Sequence, residues 1–112
     1  MINTTSIKDE KVFQKVMNKG SWYGGDFLSL YILPFEEDEN KIGLAIGKKV
    51  GKAYKRNKVK RLIKEAYTII ESDLKHGYYI VFVWKSTAIY DNVSFDGIKS
   101  DLVKNFKKAG LL

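Results

Sequence analysis

The chain has 112 residues, the size of a single domain, and 45% of them are hydrophobic, which is enough to build a core. It contains no cysteine and only one histidine, His76, which excludes disulfide scaffolds, thiolate zinc sites and multi-histidine metal centres. Twenty basic residues against 13 acidic ones give a net charge of +7, which favours a polyanionic partner. No apolar run approaches the ~20 residues of a membrane span, and no signal peptide is evident, so we expect a cytoplasmic protein with no membrane partner.

A short amphipathic helix is the first element that the sequence predicts. Ser6, three residues before Asp9, is typical of a capping box at a helix start. Apolar residues then recur at helical spacing until Gly20, a typical helix ending. The next residues predict a short strand or turn that contains Trp22. We expect Trp22, like Trp84 later in the chain, to serve in packing and not as a platform for stacking bases.

Two strands separated by an acidic loop are predicted next. Residues 27–33 are rich in β-formers, and Pro34 ends the run. The acidic residues 36–39 predict a hairpin loop, with residues 41–48 as the return strand. One face of this return strand carries only small side chains, at Gly43, Ala45 and Gly47.

A long amphipathic helix is predicted from about residue 54 to residue 74. Residues 78–84 are apolar on both faces, which predicts a central strand covered on both sides. A strand, a long helix and a buried strand in this order indicate a parallel crossover. A closing helix begins after Ser94 and ends at Gly110. The apolar stripe of the long helix is Val59, Leu62, Ile63, Ala66, Tyr67, Ile70 and Leu74.

The elements together predict the fold class. Their order is α-β-β-β-α-β-α, which describes a compact α+β sandwich. No linker, repeat or low-complexity tract interrupts the chain, so residues 1–112 are expected to form one domain.

Positive charge is concentrated in one segment. Nine of the twenty basic residues lie between Lys48 and Lys64 with no acid among them, and the other 11 are outnumbered by 13 acidic residues. On a helical wheel Asn57, Lys60 and Arg61 fall away from the apolar stripe. Arginine binds phosphate with two hydrogen bonds, lysine acts as a point charge, and asparagine can bond a phosphate, a 2′-hydroxyl or a base edge. The segment therefore predicts a face that binds nucleic acid.

The same segment carries a specific motif. It reads Gly-Lys-Lys-Val-Gly-Lys-Ala at 47–53 and Lys-Arg-Asn-Lys-Val-Lys-Arg-Leu-Ile-Lys-Glu-Ala at 55–66. This motif resembles the signature of the bacterial ribonuclease P protein subunit. The flanking helices and strands come in that family's order, so the resemblance covers nearly the whole chain. The chain departs from the family's usual pattern in four places. Residues 1–6 are neutral where a basic stretch is common, Asp26 stands at a position that is often basic, Met17 replaces a common aromatic residue, and Thr68 replaces an arginine.

The resemblance implies both a fold and a function. The fold would be an α/β sandwich like domain 2 of ribosomal protein S5, with a left-handed βαβ crossover. The chain would be the accessory subunit of the ribonuclease P holoenzyme, an endoribonuclease that removes the 5′ leader of precursor tRNA by metal-assisted hydrolysis. The RNA subunit would supply the chemistry, so no catalytic residue, metal ligand or cofactor is expected on the protein alone, and Mg²⁺ is expected in the RNA-containing holoenzyme. The partners would be the catalytic RNA and precursor tRNA, with no obligate protein partner.

Two sets of site residues follow from the resemblance by position. A groove for the precursor tRNA leader would lie between the first helix and the sheet, lined by Phe13, Met17 and Tyr31. Tyr31 is expected to share a strand face with Phe27 and Ser29, and small residues beside them would admit a single strand that stacks on aromatic rings. The residues expected to bind the catalytic RNA are Lys48, Lys49, Lys52, Arg56, Asn57, Lys58, Lys60, Arg61 and Lys64.

Three other functions are compatible with parts of the sequence. A basic helix also occurs in other RNA- or DNA-binding modules, such as ribosomal proteins. The chain could itself be a nuclease, although its 13 acidic residues show no evident paired-carboxylate motif. A membrane-surface helix would need the apolar stripe to face lipid, whereas a domain of this size needs that stripe for its core.

Overall fold

The computed structural model describes residues 3–112, and within this range it contains five strands and three α-helices. The predicted α+β class is confirmed. Short 3₁₀ turns also occur at Lys48–Val50, Glu71–Asp73 and Tyr90–Asn92. The elements are β1 (Thr4–Ser6), α1 (Glu10–Lys19), β2 (Ser21–Gly24), β3 (Leu28–Pro34), β4 (Asn40–Ala45), α2 (Ala53–Ile70), β5 (Tyr78–Trp84) and α3 (Phe95–Ala109).

The five strands form one mixed sheet in the order β1-β4-β5-β3-β2. β4 and β5 run parallel and are joined through α2, which confirms the predicted crossover. β5 lies at the centre of the sheet, and its residues Ile80, Val81 and Phe82 are fully buried. The prediction of a central strand covered on both faces is therefore also confirmed.

The predicted hairpin of residues 27–48 is wrong. β3 and β4 are separated by β5, which is antiparallel to β3 and parallel to β4, so that Tyr31 and Gly43 both pair with Val81. The physical reason is the apolar character of β5 on both faces. At a sheet edge this strand would leave apolar surface and unpaired backbone groups in water, whereas at the centre both are satisfied.

The N-terminal elements also differ from the prediction. Ser6 belongs to β1, a short strand that adds to β4 in parallel and that periodicity over three residues could not reveal. The N-cap of α1 is Asp9 instead, whose carboxylate accepts a hydrogen bond from the Lys11 amide at 2.9 Å. The predicted end of the helix at Gly20 is confirmed.

Helices α2 and α3 cover one face of the sheet and α1 covers part of the other. The entire predicted stripe of α2 is buried, although the α-helix ends at Ile70 and the chain reaches Leu74 through a 3₁₀ turn. At the centre of this layer, Tyr67, Phe82 and Phe106 meet edge to face with ring centroids 6.3–6.4 Å apart. As predicted, α3 begins at the cap Ser94 and ends at a left-handed glycine.

A buried polar cluster holds β1 and the start of β4 against α2. The Thr4 hydroxyl lies 2.8 Å from the Tyr67 hydroxyl and donates to the carboxylate of buried Glu71. Asn40, also fully buried, donates to the Lys75 carbonyl and accepts from the amide that begins β5. Burial raises the pKa of the Tyr67 hydroxyl above its usual value, because it disfavours the charged form. Hydrogen bonds with Thr4 and Asn40 lower this pKa, but by less than burial raises it. No sequence pattern predicts these roles for Thr4, Asn40 and Glu71.

A second buried polar anchor is Asp101 of α3. Its carboxylate accepts hydrogen bonds from three consecutive backbone amides, of Asp26, Phe27 and Leu28, at 2.7–3.0 Å. These bonds tie the β2–β3 connection to α3 and satisfy amides that would otherwise be buried without partners. No sequence pattern distinguishes Asp101 from Asp96, the other acid of this amphipathic helix, as the residue with such a role.

The two faces of α2 allow a direct test of the fold. Ile63 is fully buried, whereas Ile69 on the same helix is 56% exposed. We expect Ile63→Asp to abolish cooperative thermal unfolding, because an unpaired carboxylate in the core costs several kcal/mol. Ile69→Asp is the matched control and should unfold near the parent midpoint. A cooperative transition near that midpoint in Ile63→Asp would mean that the faces of α2 are misassigned.

Candidate nucleic-acid interface

The predicted RNA-binding residues all lie at the surface, along α2 and the turn that precedes it. Lys48 and Lys49 lie in the 3₁₀ turn after β4, and Lys52 is the N-cap of α2. Gly51 has φ +131°, a conformation that permits the sharp turn between them. The first turn of α2 contains no acidic residue, and the cap makes no side-chain hydrogen bond. Cations at a helix N-terminus oppose the helix dipole, so stability alone does not account for this charge pattern.

Arg56 has a role within the fold. Its Nη1 donates a hydrogen bond to the Gly51 carbonyl at 2.8 Å and so braces the turn between the 3₁₀ segment and α2. Arg61 is different, because it is exposed and makes only a solvent-accessible ion pair of 3.7 Å with Glu65. Both arginines lie on the predicted face. The guanidinium of Arg56 is bonded to the backbone of the turn, whereas that of Arg61 pairs only with an exposed side chain.

Tyr90 is a residue of this face that the sequence did not reveal. The ammonium of Lys55 lies 5.0 Å from its ring centroid, and that of Lys58 lies 5.9 Å away. An aromatic face attracts cations, so one ring holds two lysines of the N-terminal half of α2 close together. Lys55 was not among the predicted RNA-binding residues. Tyr90 lies in the connection between β5 and α3, and only the tertiary fold brings this connection next to α2.

Lys60 and Lys64 line a hollow on each side of α2. On one side they meet Phe13 and Gly43 in a hollow of about 300 Å³. On the other side they line a cleft of about 830 Å³ at the seam with α3. The basic face of α2, defined here as the nine predicted residues from Lys48 to Lys64, is therefore continuous with both hollows.

Helix α1 crosses the sheet obliquely and leaves part of that face uncovered. Its Phe13 ring packs on Gly43 of β4, where a Cβ atom would lie 2.6 Å from the ring. At its other end, Gly20 lies against the backbone of Ile32 in β3. Met17, one turn after Phe13, is half-buried. Beyond the helix, towards the C-terminal end of β5, the sheet face stays open.

This open face is a groove with a low floor. The floor is a cross-strand row of small and medium residues, Ser29, Val83 and Ala45, and Tyr31 stands beside it. The hollow measures about 580 Å³ and is also lined by Lys48, Lys49 and Lys85. Lys85 was not predicted, because it follows β5 and meets the other two lysines only when β5 lies beside β4.

Two details of the predicted groove are corrected by the strand order. The small residues of β4 are not directly beside β3, because β5 places Val81 and Val83 between them. Phe27 does not share the face of Tyr31, since it precedes β3 and packs on the opposite side with its ring 6.1 Å from that of Trp84. Phe13 and Tyr31 do lie on one sheet face, because Phe13 packs on Gly43, which is two strand spacings, about 10 Å, from Tyr31.

The two tryptophans behave differently. Trp84 is 7% exposed and packs in the core, which agrees with the packing role predicted for it, whereas Trp22 is 57% exposed. Trp22 pairs with Tyr31 across β2 and β3, and its indole lies over Gly24, at the edge of the groove floor beside Ser29.

The described residues, 3–112, contain no group of three or more His, Cys, Asp or Glu side chains placed to hold a metal ion. Within the same range no helix is long and apolar enough to cross a membrane.

Comparison with known proteins decides the family. A family model for ribonuclease P matches residues 1–110. The ribonuclease P protein component of Clostridium botulinum is 38% identical over 106 residues, which covers 94% of each chain. This chain belongs to the ribonuclease P protein family. The solved ribonuclease P protein of Staphylococcus aureus matches with a TM-score of 0.82 at 27% identity over 95% of each chain. That of Thermotoga maritima shares the fold, with a TM-score of 0.81 at 21% identity over 92% of this chain and 96% of its own.

Membership confirms the resemblance seen in the sequence. The chain is a protein component of ribonuclease P and thus part of an endoribonuclease holoenzyme that processes the 5′ end of tRNA. As a ribonuclease P protein it associates with the ribonuclease P RNA.

The two arginines of the basic face should differ in their effect on stability. Arg56→Ala removes a charge-assisted hydrogen bond to a partly buried carbonyl, so we expect it to lower the free energy of unfolding by about 1 kcal/mol. Arg61→Ala should change it by at most ~0.5 kcal/mol, because its ion pair is exposed. Urea unfolding of both variants measures this difference. Equal destabilisation would show that the contact of Arg56 with Gly51 does not brace the turn.

Proposed function

We propose that this chain binds the ribonuclease P RNA through the basic face of α2 and holds the 5′ leader of precursor tRNA in the groove beside α1. The observation that carries the proposal is the two-sided character of α2. One side is wholly buried in the core, and the other presents cations with no intervening acid from Lys48 to Lys64. Such an uninterrupted run of cations suits a polyanion such as RNA, whereas an ordinary solvated face carries charges of both signs.

The contacts expected along this face differ by residue type. Arg61 can make two parallel hydrogen bonds to one phosphate, whereas the lysines act as mobile point charges. Asn57, exposed one turn before Arg61, can bond a 2′-hydroxyl or a base edge. The helix is about 27 Å long at 1.5 Å per residue, so it can follow several successive phosphates.

In this proposal the RNA subunit carries out the hydrolysis and ligates the Mg²⁺ ions of the holoenzyme. The chain has one histidine, and His76 lies 3.7 Å from an exposed aspartate in the loop after β3, where it makes a surface contact. The proposed contribution of the protein is to neutralise phosphate repulsion and to hold substrate and RNA together. The holoenzyme is expected in the cytoplasm.

The leader site is proposed from the shape and charge of the groove. A low floor of Ser29, Val83 and Ala45 lets a strand of RNA approach the sheet, and Tyr31 offers a ring for stacking. Lys48, Lys49 and Lys85 can neutralise its phosphates. Because Lys48 and Lys49 also belong to the basic face, the leader and the catalytic RNA would be bound side by side.

Replacing Arg61 tests the RNA-binding face. We expect Arg61→Ala to weaken assembly with ribonuclease P RNA roughly tenfold and to reduce the slope of log affinity against log salt by about 1, since one phosphate contact is lost. Lys104→Ala, an exposed lysine of α3, is the control and should change affinity less than about twofold. Filter binding across a salt series measures both. Parent affinity that is equal for duplex DNA and for this RNA would favour a general nucleic-acid-binding module instead.

Replacing Tyr31 tests the leader groove. Loss of one stacking ring costs ~1–3 kcal/mol, so Tyr31→Ala should weaken binding of precursor tRNA with a long leader roughly ten- to a hundredfold. Binding of precursor with a one-nucleotide leader should not change, and Tyr31→Phe, which keeps the ring, should bind like the parent. If Tyr31→Ala weakens both substrates equally, or neither, Tyr31 is a packing residue and the leader binds elsewhere.

A further inference from the structure

The cleft of about 830 Å³ between α2 and α3 has a lining unlike that of the rest of the basic face. Ile69, Phe95 and Thr68 give it a mostly apolar surface. Three cations, Lys60, Arg61 and Lys64, line the same cleft with one acid, Glu65, which pairs with Arg61, so the charge of the lining stays positive. A surface that only meets phosphates needs no apolar lining. The combination therefore indicates a ligand with both an apolar part and a negative charge close to it.

The apolar lining is accessible. Ile69 is 56% exposed, in contrast to its buried neighbour Ile70. The hydroxyl of Thr68 donates to the Lys64 carbonyl at 2.8 Å, so its hydrogen-bonding need is met within the helix. Phe95 is half-buried at the first turn of α3. Together these three side chains offer an aromatic ring and aliphatic surface, and the one hydroxyl among them already has a hydrogen-bond partner.

We propose that this cleft receives one unpaired nucleobase of the ribonuclease P RNA; this rests on the proposed function. A nucleobase has apolar faces, a polar edge and phosphates on either side, which matches the apolar lining, Asn57 and the three cations. A base within a double helix buries its faces in the stack, so only an extruded or unpaired base can use Ile69 and Phe95. The cleft shares four residues with the basic face, so the base and its backbone would be held by one continuous surface; they are Asn57, Lys60, Arg61 and Lys64.

Substitutions at Ile69 separate this idea from simple electrostatics. Ile69→Ser should weaken assembly with ribonuclease P RNA about tenfold while the salt slope stays at the parent value, because no charge is lost. Ile69→Lys adds a cation, so it would raise affinity for the RNA if charge alone determined binding. We expect it to lower this affinity instead, because the lysine side chain would occupy the cleft. Ile69→Val should bind within about threefold of the parent. Ile89→Ser, which removes another isoleucine that is 60% exposed, controls for the loss of surface apolar area and should bind like the parent.

A cross-link identifies the occupant. The chain has no cysteine, so Ile69→Cys provides a unique attachment site for a photoactivatable reagent. We expect cross-linking to one dominant nucleotide that is unpaired in the RNA, and competition by the parent protein. Cross-links spread over paired nucleotides, or unchanged affinity in Ile69→Ser, would overturn the proposal. The proposal would also be overturned if the free protein self-associated and Ile69→Ser abolished this self-association. The cleft would then be an interface between two copies of the chain.

The two levels of the proposal fail in different ways. If Arg61→Ala weakens RNA binding and the Ile69 variants do not, the basic face stands and the nucleobase cleft is wrong. If the parent protein shows no preference for ribonuclease P RNA, the proposed function itself fails. Thermal unfolding of each variant near the parent midpoint establishes that binding, and not folding, has changed.

Discussion

Burial of the apolar stripe of α2 against β5 is the interaction on which the rest of the structure depends. Val59, Ile63 and Ala66 are fully buried, and Tyr67 meets Phe82 of β5 edge to face. Because lysine and arginine cannot enter such a core unpaired, this burial also sets the outward direction of every cation on the helix. The core and the basic face are thus two consequences of one amphipathic pattern.

The unequal covering of the sheet explains the groove. Two helices cover one face, whereas α1 alone lies over the other and crosses it obliquely from Gly43 to Ile32. To cover more of this sheet face, a helix would need larger side chains on β4 to pack against. The small residues of β4 instead leave the end of the sheet open, where the lysines of two separate connections meet. A shallow, cationic floor suits a single strand better than a duplex, whose diameter is larger and whose bases are already stacked.

The basic face sits on a rigid frame despite unfavourable local electrostatics. Like charges crowd the N-terminal half of α2, where no acid occupies the first turn. Arg56 braces the preceding turn, and Tyr90 holds two lysines by its ring. Asp101 secures the connection before β3 through three amide hydrogen bonds. In the proposed complex with RNA, bound phosphates would neutralise these cations and relieve the remaining repulsion.

The sequence by itself determined the three helices, the buried face of α2, the central position of β5 and the segment that carries the charge. These features depend on local periodicity and on side-chain polarity, which are readable over one or two turns. Only the tertiary structure decided that β5 separates β3 from β4, that β1 joins the sheet, and that Lys85 and Tyr90 approach residues far from them in sequence. Strand pairing depends on which arrangement buries the most apolar surface across the whole chain, and that competition among distant segments leaves no local pattern to read.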